Sequence, residues 1–89
     1  MTINLRRLKA ERIAKGITQD QMASYMGWST RTPYAKRENG FVSIGADELA
    51  KMATILGFSR DELGIFFTND VPNKERIHWL KNIVANQKF

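Results

Sequence analysis

STRTPYAKRENG, residues 29–40, is a cationic stretch that ends in an Asn-Gly stop and carries a proline where a helix should be under way. Pro33 has no N–H, and its ring clashes with the carbonyl four residues back, which costs ~3 kcal/mol inside a helix. At the first helical position that cost vanishes, because the N–H there has no intrahelical partner anyway. Proline also drives the preceding residue toward extended backbone, the conformation of an N-cap, and Thr32 has an N-cap side chain. The stretch therefore predicts a helix from Pro33 to about Glu38, capped by Thr32 and ended by Asn39 or Gly40 in the left-handed region. A cap at Thr30, with Pro33 at the third position, fits nearly as well. A cap at Ser29 does not, since Pro33 would then sit where an intrahelical bond is required.

Upstream, residues 17–22 (ITQDQM) open another helix. Thr18 and Gln21 have the spacing of a capping box, and Ile17 and Met22 that of a hydrophobic staple. Met22, Ala23 and Met26 form its buried stripe, and Gly27 can end it with a positive φ. Two short helices, about 18–26 and 33–39, are thus joined through GWSTRT. Tyr34 and Glu38 lie one turn apart and should face inward, with Arg37 to the side. Arg31, Ala35, Lys36 and Asn39 are left toward solvent.

The remaining elements are helical, and no strand signal of any length is found. Residues 4–15 set Leu5, Leu8, Arg12 and Ile13 on one stripe, ended at Gly16. Residues 46–56 place Ala46, Leu49, Ala53 and Leu56 on one face, with Asp47 and Glu48 in the first turn, where the helix dipole favours them. Ser59 and Glu62 make a second capping box before a short helix ending near Phe67. Pro72 then interrupts the chain, and Ile77, Leu80 and Val84 suggest a sixth helix over 73–86. The expected organisation is one domain at 1–68 and a C-terminal extension at 69–89.

Arg12 is a cation on an otherwise apolar stripe, and Glu38 lies on the inner side of its own helix. An unpaired buried charge is too costly to persist, so the two are expected to form an ion pair.

Composition narrows the function. Residues 1–45 hold eight Lys/Arg against three acids, whereas residues 46–89 hold six of each. All the excess positive charge lies in the first half, which points to an anionic partner such as nucleic acid. There is no cysteine and a single histidine, so neither a metal centre nor any cofactor is expected. Nothing resembles a nucleophile–base pair or a phosphate-cradling glycine loop, and no enzymatic activity is expected. No apolar run approaches the ~20 residues of a membrane span, and the N-terminus lacks the apolar segment of a signal peptide. A cytoplasmic protein is the expectation. Tyr25, Trp28 and Tyr34 could stack on single-stranded bases, but two of them sit where helices must pack.

The segments GITQDQMASYMGWS and YAKRENG together resemble the helix-turn-helix of Cro and repressor proteins, the xenobiotic-response-element family of regulators. The resemblance covers residues 4–67; WSTRTPY is one residue longer than the family's usual turn-to-helix segment. It implies an all-α, five-helix lambda-repressor-like domain, here with a C-terminal helical extension. It also implies a sequence-specific double-stranded DNA-binding regulator of bacterial or phage origin, a repressor by expectation, bound as a homodimer to a palindromic operator. Carried over by position, Thr30, Arg31, Thr32 and Lys36 would contact bases. Thr18, Gln19, Arg37 and Asn39 would contact phosphate. The family also pairs Arg12 with Glu38. The loop at 40–45, with Phe41 and Val42, serves dimer contacts in related repressors. An antitoxin-like or other interaction module, holding a protein partner through 73–89, is the competing reading.

Overall fold

A computed structural model of the chain describes residues 2–68. The expected helix at 73–86 and the extension at 69–89 lie outside the described residues. The first helix, α1 (Leu5–Ala14), starts at Asn4, whose side chain accepts from the Arg7 N–H at 3.0 Å. Helix α2 (Gln19–Met26) starts in a complete capping box: Thr18 Oγ1 accepts from the Gln21 N–H at 3.0 Å, and Gln21 Oε1 from the Thr18 N–H at 2.8 Å. It ends at Gly27, whose φ of +91° lets the chain turn at once toward the next helix.

Helix α3 spans Thr32–Glu38. Its start corrects the expectation that Thr32 is the cap. The cap position belongs to Arg31, in helical backbone (φ −68°, ψ −28°), with no side-chain cap bond. The hydrogen-bond ladder already begins with the Arg31 carbonyl, which accepts from Ala35 at 3.0 Å. Pro33 is therefore the second helical residue, where its missing N–H still leaves no bond unmade. The bias that proline exerts on its predecessor yields here to a turn that must place Tyr34 in the core. The helix ends at Gly40 (φ +86°), with the Phe41 N–H closing on Lys36 at 2.8 Å.

Helix α4 (Ala46–Ile55) has Glu48 reaching back to the Gly45 N–H at 3.0 Å. The last helical stretch, Arg60–Phe66, is wound as a 3₁₀ helix and stops one residue before Phe67. It is only seven residues long with Gly64 inside it, so it gains little from the α ladder. Two strands, β1 (Thr2–Ile3) and β2 (Phe67–Thr68), pair antiparallel with Thr2 opposite Thr68. They clasp the ends of the helical domain, and the Asn4 N–H adds a 2.6 Å bond to Phe66. Two residues per strand are too few to leave an alternating pattern in sequence.

Among the described residues the fold is all-α apart from this ribbon. Leu8, Met22, Tyr34, Met52, Leu56 and Phe66 fill a common core in which each is almost wholly buried. Ala23 and Ala53 are small enough to bring α2 and α4 close. Ile13 is 58 % exposed, contrary to the expected stripe. It lies about 140° round α1 from Leu8, so a helix that buries Leu8 and Arg12 must turn Ile13 outward.

Candidate nucleic-acid interface

Helices α2 and α3 meet through residues 27–31, and α3 has two unlike sides. Tyr34 and Glu38, one turn apart, are buried. Arg31, Thr32, Lys36 and Asn39 are exposed, and so is Thr30 in the turn. Thr32, Lys36 and Asn39 fall within about 60° of one another round the helix, on the side opposite Tyr34 and Glu38; Arg31 is exposed at the cap position, ahead of the first turn.

The lock is a network centred on Glu38. Arg12 grips its carboxylate with two bonds, Nε to Oε2 at 2.8 Å and Nη2 to Oε1 at 3.1 Å. Tyr34 Oη donates to Oε2 at 2.7 Å, and Gln19 Nε2 to Oε1 at 3.0 Å. Arg12 also donates to the Ile17 carbonyl at 2.8 Å. One carboxylate thus joins α1, α2 and α3. Glu38 is 4 % exposed and Arg12 8 %, so each charge depends on the other for compensation. Among the described residues no buried side-chain polar atom lacks a partner.

The titration of these groups follows from the same contacts. Burial by itself would raise the Glu38 carboxyl, but the bonds from Arg12, Tyr34 and Gln19 outweigh it and hold the group below its ordinary value. The Glu38 bond raises Arg12 against the opposing effect of burial. Burial, reinforced by Glu38, pushes the Tyr34 hydroxyl far above the usual phenol range, so it remains a neutral donor.

The expected phosphate ligands differ in what else they hold. Arg37 is bound within the protein through two of its nitrogens: its Nε donates to Glu48 Oε1 at 2.9 Å and its Nη1 to the Pro33 carbonyl at 2.9 Å. Its guanidinium also lies over the Trp28 ring, 4.5 Å from the centroid. Gln19 spends one amide proton on Glu38 and keeps the other. Thr18 is exposed at the start of α2, with its oxygen engaged in the cap. Asn39 follows α3 in helical backbone and is exposed.

Of the aromatic residues, Tyr34 is fully buried, Trp28 packs against the core and Tyr25 is 55 % exposed. The Tyr34–Glu38 bond has an i, i+4 signal in sequence. The Gln19–Glu38 and Arg37–Glu48 bonds have none, because they join helices whose relative placement is set by the core. No group of His, Asp or Glu side chains among the described residues could hold a metal ion. No helix among them is long and apolar enough to cross a membrane.

A protein-family model described as helix-turn-helix matches residues 8–63, which spans all of α2, α3 and α4. No curated protein and no solved structure matches the chain.

Proposed function

Because the chain belongs to the helix-turn-helix family of DNA-binding regulators, we propose that it recognises a specific double-stranded sequence by inserting α3 into the major groove while α2 crosses the backbone. The observation that carries this reading is the two-sidedness of α3. Its buried side is fixed through Glu38, its free side offers Thr32 and Lys36, and Arg31 is exposed at its start.

Arg31 and Lys36 can donate to guanine O6 and N7, and the methyl groups of Thr30 and Thr32 can meet thymine. Thr18, the remaining amide proton of Gln19, and Asn39 are the proposed phosphate ligands. Residues 1–68 form the DNA-binding unit in this reading, and 69–89 an extension to it. In this reading the protein is a repressor of bacterial or phage origin acting in the cytoplasm, as its likeness to Cro and repressor proteins implies.

A homodimer on a palindrome is the natural form of such binding. Its support is apolar surface beside the α3–α4 loop. Phe41 is 82 % exposed, and its neighbours Gly40 and Val42 line an open groove of about 500 Å³ with Ile3, Ile44 and Phe67.

Selection of bound duplexes from a random pool tests the proposal. The expected product is a palindrome with half-sites about one helical turn apart, bound by two chains. Its affinity should fall steeply with salt, with a slope near −0.9 for each phosphate neutralised. Enrichment of no sequence, or an affinity indifferent to salt, would refute it.

A further inference from the structure

Helix α3 begins without a side-chain cap, so something other than a cap must hold its first turn, which carries Thr32 and adjoins Arg31. We propose that Arg37 is the positioning residue for that turn, and that it works through Glu48 of α4. The inference rests on the reading of α3 as the recognition helix.

One guanidinium meets three separate pieces of structure. It bonds to the Pro33 carbonyl in the first turn of α3, stacks on Trp28 in the turn before it, and pairs with Glu48 at the start of α4. The Arg37 side chain runs back along its own helix from the last turn to the first. The dipole of α3 opposes a cation at that end, so the placement depends on the Trp28 face and the Glu48 carboxylate. Glu48 Oε1 accepts from Arg37 at 2.9 Å and from the Gly45 N–H at 3.0 Å. The same oxygen therefore fixes the α3–α4 loop and the start of α3. The Arg37 and Glu48 side chains are 18 % and 29 % exposed, which sets them at the rim of the core. Glu38 ties α3 to α1 and α2 near its end; Arg37 ties it to α4 near its beginning. Two anchors on different sides leave a seven-residue helix little freedom to roll.

A lysine cannot replace this arrangement, because an ammonium has no planar face to stack and no fork to span two acceptors. The test compares Arg37→Lys, Glu48→Ala and Glu48→Gln with Lys36→Ala, all in the full chain. Each is titrated with the selected duplex, its single-base variants and an unrelated duplex, across a salt series. Arg37→Lys and Glu48→Ala should each lower base discrimination about 5- to 10-fold at the positions nearest Arg31 and Thr32. Affinity for the unrelated duplex and the salt slope should not change. Glu48→Gln retains an acceptor oxygen and should retain most of the discrimination. A residue with only a structural role would lower the melting temperature and leave base preference alone.

Two results overturn the inference while leaving α3 as the reader. In one, Lys36→Ala relaxes a base position while Arg37→Lys and Glu48→Ala relax none. In the other, Glu48→Ala tightens binding to every duplex alike and steepens the salt slope, which would make Arg37 a phosphate ligand restrained by Glu48. If neither Lys36→Ala nor Arg31→Ala, titrated alongside, alters any base preference, the recognition-helix reading fails and the inference falls with it.

Discussion

Glu38→Ala is expected to cost about 3–5 kcal/mol of folding stability, measured by urea denaturation. The cost follows from what the substitution leaves behind. Arg12, 8 % exposed, would keep a full charge with only the Ile17 carbonyl to satisfy it. The Tyr34 hydroxyl and the Gln19 amide would lose their acceptor as well. A domain of this size has a total stability of roughly 5–13 kcal/mol, so the loss would remove a large part of it. Most of that cost is the penalty of an orphaned charge, not the intrinsic worth of the pair. Arg12→Met and Tyr34→Phe added to Glu38→Met should therefore recover much of the loss, in strong departure from additivity.

The sign of the pH dependence is fixed by the same network. Glu38 titrates below its ordinary value of 4.5 in the folded protein. Its contribution is complete above the unfolded value and drains away as the pH falls through the lower folded one. Stability should decline on acidification below about pH 4.5, and the decline should be shallower in Glu38→Ala. An equally steep decline in both would show that other carboxylates dominate.

The second large effect is on DNA. Arg31→Ala and Lys36→Ala should each relax the preference at one base position per half-site by about 1–3 kcal/mol, with little change in folding stability. Both side chains are exposed, so truncation leaves no cavity and no buried group unpaired. A phosphate ligand behaves differently: its removal weakens all duplexes alike and flattens the salt slope by about one. Competition binding against single-base variants of the selected duplex separates the two. Uniform weakening by Lys36→Ala would move that residue from base reading to the backbone.

What the sequence makes legible here is what local rules govern. The Thr18–Gln21 capping box, the left-handed Gly27 and the Gly40 stop each depend on a few neighbouring residues. The burial of Tyr34 and Glu38 follows from their spacing of one turn and the need of a short helix to show one face to the core. The partnership of Arg12 and Glu38 is reachable from the cost of an isolated charge, although the two are 26 residues apart. The remainder depends on how helices are set against one another. Arg31 rather than Thr32 occupies the cap position because the inward pull on Tyr34 outweighs a conformational bias of proline. Ile13 is a member of the α1 stripe by count, but the stripe centres on Leu8 and Arg12. Arg37 reads as a surface cation until α4 brings Glu48 alongside. The β1–β2 clasp joins residues 66 positions apart and is too short to have a period.

In the proposed complex the exposed side of α3 and the start of α2 form the surface that meets DNA. The most direct test is an amide-resolved NMR titration of the full chain with its selected duplex. The largest shift changes should fall at residues 18–19 and 28–40, with Arg31, Thr32 and Lys36 foremost. Changes centred instead on α4 and the Arg60–Phe66 helix, with α3 unmoved, would contradict the proposal.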